Sequence, residues 1–88
     1  MFKAHGIQLH ELGGMCPEQF YAYFEGSDTQ IGYIRVRHDR LTVDVPDAGD
    51  FNILTMNVKG GGALLDEERT ECLNKVCLAL AKHLGDLT

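Results

Sequence analysis

Residues 19–45 read QFYAYFEGSDTQIGYIRVRHDRLTVDV, and this stretch decides the fold. In its first part Phe20, Ala22 and Phe24 alternate with Tyr21 and Tyr23, so strong β-formers fall on two opposite faces at a period of two. Gly26, Ser27 and Asp28 then supply turn chemistry, and IGYIRVRH at 31–38 resumes the alternation, which makes the pair a β-hairpin. His38, Asp39 and Arg40 form the next turn. LTVDV at 41–45 alternates again until Pro46, which has no N–H to give a neighbouring strand, ends the ladder. The expectation is a three-stranded antiparallel meander.

Beyond Pro46, the turn-rich stretch 46–50 leads into a further strand at 51–58, interrupted by Asn52 and Asn57 and closed by Lys59 and the glycines 60–62. On the other side of the meander, residues 2–12 alternate loosely, with Ile7 and Leu9 on one side. Residues 1–14 therefore read as a strand or an N-terminal arm, separated from the meander by a loop around Gly13, Gly14 and Pro17.

The C-terminal segment changes period. Leu73, Val76, Cys77, Leu80 and Leu84 recur at helical spacing opposite Glu71, Asn74, Lys75 and Lys82. Asp66 is a fitting N-cap, Glu67 and Glu68 suit the positive end of the helix dipole, and Gly85 stands where a left-handed C-cap is wanted. The stripe has to cover an apolar surface, and the meander offers one in Phe20, Ala22, Phe24, Ile34, Val36, Leu41, Val43 and Val45. The chain thus reads as α+β: an antiparallel β-meander of 4–5 strands with one C-terminal amphipathic helix packed on one face. With 88 residues and no linker-like composition, residues 1–88 are expected to form a single domain.

Composition narrows the function classes. Apolar residues make up 44% and charged residues 24%, the usage of a chain that folds without help. No run is apolar enough to span a bilayer and the N-terminus lacks a signal-peptide core, so a cytoplasmic protein with no membrane contact is expected. The net charge of −5 argues against non-specific DNA binding. Three cysteines without CxxC spacing argue against a disulfide framework or a zinc site; Cys72 and Cys77 read as small core residues. His5, His10, His38 and His83 have no ligand spacing between them, DVPDAGD lacks the rhythm of a calcium loop, and no metal or cofactor is expected. His83 reads as a complement to the negative helix end.

If the helix covers one face of the sheet, the period of two sends Tyr21, Tyr23, Ile31, Tyr33, Arg35, Arg37, Thr42 and Asp44 to the other. Tyrosine rings with hydrogen-bonding tips beside planar guanidinium forks are the composition of binding hot spots. Tyr21, Tyr23, Tyr33, Arg35 and Arg37 are the candidate binding residues. A nucleotide or short nucleic acid stacked on tyrosine and paired with Arg35 and Arg37 is the alternative ligand. The bland alternative is that these side chains simply pack cross-strand on a solvated face.

Other features carry less. The glycines at 60–62 lack phosphate-loop spacing and precede acidic Asp66, Glu67 and Glu68, so a hinge or a positive-φ loop is the better reading. The acidic residues of 44–50 and 66–71 could face a basic protein, though solvation and capping account for them. Cys16, in its glycine-rich loop, is the one cysteine placed for thiol chemistry. Paired carboxylates at recognisable spacing are missing, and the sequence reads as a non-enzymatic protein.

In the order CPEQFYAYFEG (16–26), GYIRVRHDRLTVDVPDAG (32–49) and ERTECLNKVCLAL (68–80), the chain resembles small uncharacterised α+β accessory proteins of phages, integrative elements and mobile gene cassettes. Asp39 stands where those relatives are expected to carry glycine, and the glycine run 60–62 replaces an acidic loop. The resemblance implies an accessory role exerted by binding, a setting that includes inhibitors of host defence. The combined expectation is a binding protein that engages a protein partner, or itself as a homodimer, through the Tyr/Arg face.

Overall fold

Two-residue turns fix the register of the sheet. His38 and Asp39 have φ of 54° and 62° and join strands whose last pair is Arg37 opposite Arg40; His5 and Gly6, at 52° and 78°, do the same between Ala4 and Ile7. Both connections have the positive φ pair of type I′ turns, whose twist matches that of the strands they join. The computed structural model describes residues 1–13 and 17–85.

Six strands follow in chain order: β1 (Phe2–Ala4), β2 (Ile7–Glu11), β3 (Glu18–Phe24), β4 (Gln30–Arg37), β5 (Arg40–Val45) and β6 (Phe51–Asn57), with helix α1 at Asp66–Gly85. They lie side by side in that order, every neighbour antiparallel. The fold is α+β as the alternation predicts, but the sheet has six strands, not 4–5. The difference lies at the N-terminus, where residues expected as one strand or an arm make a tight hairpin that pairs with β3 through Ile7–Glu11. Loose alternation in 2–12 conceals the turn because His5 and Gly6 interrupt it for only two residues.

One face of the sheet is covered. Ile7, Leu9, Phe20, Ala22, Ile34, Val36, Leu41 and Val43 are all at most 2% exposed and meet Leu73, Val76, Cys77 and Leu80 of α1. The helix crosses the sheet, meeting β1 and β2 on one side and β6 on the other. Gly32 makes the close approach in the middle: a Cβ there would stand 3.0 Å from Leu80 Cδ2, so the strand offers the helix a groove. Phe24, expected in this core, is 46% exposed at the end of β3 and outside the core cluster.

Two bulges shift the pattern. Between Ala22–Gly32 and Tyr23–Gln30 the register leaves Ile31 as an extra residue of β4, and between Val43–Leu54 and Asp44–Asn52 it leaves Ile53 extra in β6. An extra residue reverses which face the side chains take. Ile31, expected on the face away from the helix, packs instead against the core, as does Ile53.

The helix start also differs from expectation. The Leu65 carbonyl accepts from Arg69 N–H at 2.9 Å, so Leu65 is the N-cap and Asp66 is the first helical residue. Glu68 takes the capping role: its carboxylate accepts from Leu65 N–H at 3.0 Å and from Lys59 N–H at 3.0 Å, half of a capping box. Gly85 closes the helix without a left-handed φ. The glycine run is no hinge: Gly61 has the positive φ of 73°, its carbonyl accepts from Asp39 N–H, and the Gly62 carbonyl accepts from Glu18 N–H.

Glu18 is the buried charge of the fold, 2% exposed. Its carboxylate accepts from Leu64 N–H at 2.9 Å and from Arg69 Nη2 at 2.7 Å, fastening β3 to the segment before the helix. Burial pulls this carboxyl upward, but the hydrogen bonds from Glu11, Leu64 and Arg69 outweigh it and hold it below its ordinary value. The carboxyl of Glu11 is raised, first by hydrogen bonding to Glu18, then by burial and repulsion from the same carboxylate. Cys77 is buried as expected, and burial pushes its thiol up to about 11.

Candidate functional site

The face away from α1 has no second layer, and the register arranges its side chains in rows across the strands. His10, Tyr21, Tyr33, Asp44 and Asn52 form one row. Gln19, Arg35, Thr42 and Thr55 form the next, and Arg37, Arg40 and Asn57 the last, beside the His38–Asp39 turn. On the opposite side of the first row lie Gln8, Tyr23 and Gln30. Successive rows are about 6.6 Å apart along the strands. The face is therefore graded, aromatic toward one end and basic toward the other.

At the aromatic end His10 meets Tyr23 edge-on, ring centroids 5.1 Å apart and planes at 84°, and Tyr21 lies against Tyr33 at 6.0 Å. His10 Nε2 is buried and has no hydrogen-bond partner among the described residues. Tyr33 is only 8% exposed, and its hydroxyl donates to Gln19 Oε1. Burial raises this hydroxyl above its ordinary value, against the guanidinium of Arg35 beside it. Tyr33 thus supports the face from within and offers no open ring, while Tyr21 and Tyr23 are half-buried.

At the basic end a concavity of about 420 Å³ is lined by Tyr33, Arg35 and Thr42, by Arg37, His38 and Arg40, and by Asp44, Ala48 and Gly49. The ion pairs among the described residues are Lys3–Glu25, Arg69–Glu18 and Lys75–Glu71; Arg35, Arg37 and Arg40 belong to none of them. Arg37 Nε donates to His38 Nε2 at 3.1 Å. Asp44, which lines the same concavity, accepts from Gly49 N–H at 3.0 Å and Asn52 Nδ2 at 3.1 Å and is in none of these ion pairs.

The acidic loop 46–50 is occupied with its own geometry. Asp47 accepts from Ala48 N–H at 2.7 Å and Gln30 Nε2 at 2.9 Å, which lowers its carboxyl, and Asp50 accepts from Asp47 N–H at 3.1 Å. No group of three or more His, Cys, Asp or Glu side chains could hold a metal ion among the described residues. His83 is stacked on Phe51 at 6.0 Å. Cys16 lies outside the described residues.

The structure brings Tyr21, Tyr23, Tyr33, Arg35 and Arg37 onto one face. It adds Arg40, which sequence reasoning assigned to a turn. The signal was present in the two-residue His38–Asp39 turn, because a I′ connection makes its flanking residues a cross-strand pair. No family model, curated protein or solved structure matches this chain. No helix is long and apolar enough to cross a membrane among the described residues.

Proposed function

We propose that the chain is a non-enzymatic binding protein whose open sheet face engages the acidic surface of a protein partner. One observation carries the reading: Arg35, Arg37 and Arg40 line a single concavity, with no ion-pair partner among the described residues, in a chain of net charge −5. Eight of the chain's charges are cationic and thirteen anionic, yet the carboxylate that lines the concavity, Asp44, is hydrogen-bonded to Gly49 and Asn52 and forms no ion pair with the arginines among the described residues. Half-buried Tyr21, one row from Arg35, and Tyr23, one row further along the same face, supply apolar contact with polar tips. The setting implied by the sequence resemblance, an accessory protein of a mobile element acting on a host system, agrees with a role exerted through contacts.

The test uses wild type, Arg35→Ala and Lys75→Ala, the last on the outer face of α1. A protein retained by wild type is purified and its affinity measured by calorimetry. Loss of roughly 30-fold or more on Arg35→Ala, with Lys75→Ala unchanged, supports the reading. Equal affinity for all three overturns it. Light scattering on the same proteins separates self-association, which would appear as a dimer lost on Arg35→Ala.

A further inference from the structure

Arg37 and Arg40 face each other across β4 and β5, on one side of the sheet and directly in register. Like charges so placed destabilise a strand pair, and a carboxylate between them would be the ordinary remedy. Among the described residues none is paired with them: Asp44, in the same concavity, is hydrogen-bonded to Gly49 and Asn52, and neither it nor Asp39 forms an ion pair. Arg35 stands one row away on β4, over the same concavity. A second concavity, of about 470 Å³, opens on the other side of Arg37 and His38, toward Gly61 and Gly62. Arg37 and His38 thus line both concavities, Arg40 the first.

We infer that Arg35, Arg37 and Arg40 form a subsite for a phosphoryl group. The inference rests on the reading of the open face as a binding surface, and names the chemistry that its basic end takes. One guanidinium satisfies both oxygens of a carboxylate with a two-pronged contact. Three guanidiniums from two strands present more donors and more charge than a carboxylate can use, and match the three oxygens and near-double charge of a phosphomonoester or terminal phosphate. The concavity of about 420 Å³ has room for the group that carries it. That carrier is either a phosphorylated side chain of a protein partner or a free nucleotide.

The experiment is a set of thermal melts at constant ionic strength with four probes: pyrophosphate, a nucleoside diphosphate, a phosphoserine peptide, and the same peptide with glutamate in place of phosphoserine. Wild type should gain about 4 °C or more with at least one phosphate probe near ten times its Kd, and little with the glutamate peptide. Arg40→Thr should melt at or above the wild-type temperature when free and lose the phosphate-dependent gain. A gain confined to the peptide identifies a phosphorylated partner, and one confined to the nucleotide or pyrophosphate a free phosphate ligand. The subsite is overturned if no phosphate probe shifts wild type, if the glutamate peptide shifts it equally, or if the gain survives in Arg37→Thr/Arg40→Thr. A phosphate gain lost in Arg40→Thr, beside protein affinity insensitive to Arg35→Ala, would keep the subsite and remove the protein-binding reading. The reverse pattern would do the opposite.

Discussion

The two faces of one sheet are built from the same strands, yet they solve opposite problems. Toward α1, alternate residues of β2 to β5 are aliphatic or aromatic and almost wholly buried, and the buried carboxylate of Glu18 has both oxygens engaged. Away from α1, three arginines share a concavity, two of them face each other, and among the described residues none forms an ion pair, Asp44 beside them being held by Gly49 and Asn52. Close packing and satisfied charge stabilise the first face. The second carries charge that the fold does not use, which is how a binding surface departs from the stability optimum.

That contrast is open to breakage. The largest effect is expected at Leu80, fully buried over Gly32: Leu80→Ala should cost about 3–4 kcal/mol in urea denaturation, enough to threaten folding in a chain of this size. A cost under about 1 kcal/mol would mean that the helix is only loosely seated. Next comes Arg69→Met, which strands the buried Glu18 carboxylate with Leu64 N–H as its remaining partner in the segment before the helix. Removing one member of a buried pair costs about 3–5 kcal/mol. Arg69 is itself partly exposed, so about 2–3 kcal/mol is expected here.

The acid limb of stability sharpens the same comparison. Glu18 is lowered when folded, so its contribution is present above the ordinary carboxylate pKa and is lost as pH falls through its folded value. Glu11 is raised, so its contribution is present at acid pH and is lost as pH rises through its folded value. Glu11→Gln should consequently raise the melting temperature at pH 7 and leave it nearly unchanged at pH 3. A variant that melts lower at pH 7 would contradict the raised Glu11 carboxyl.

Smaller effects belong to the turn and the open face. Asp39 holds φ of 62°, a conformation costly for a residue with a Cβ, so Asp39→Gly should stabilise by about 0.5–1 kcal/mol in the same denaturation series. Arg35→Ala should change stability by no more than about 0.5 kcal/mol while removing binding. If it unfolds the domain instead, the open face is structural and the comparison between the two faces collapses.

Much of this was legible in the chain. Alternation over 19–45 placed Tyr21, Tyr23, Tyr33, Arg35 and Arg37 on one face, and the spacing of Leu73, Val76, Cys77 and Leu80 marked the helix and its buried stripe. These are local properties, because the direction of each side chain follows from the period of its own element. Less legible were Ile31, turned inward by a bulge, and Phe24, left exposed at the end of β3. A bulge shows only in the pairing of two strands, and the edge of a core only in the packing of helix on sheet.

What the sequence determined by itself is the class of each segment and the two-sidedness of the sheet, since both follow from periodicity over a few residues. The tertiary structure alone decided that residues 2–11 extend the sheet to six strands, that Glu18 is buried against Arg69, and that Arg40 stands opposite Arg37 with no carboxylate between them. Each of these depends on which backbone N–H meets which carbonyl across the sheet. That register is set by turn closure and by packing against residues far along the chain, which a local pattern does not contain.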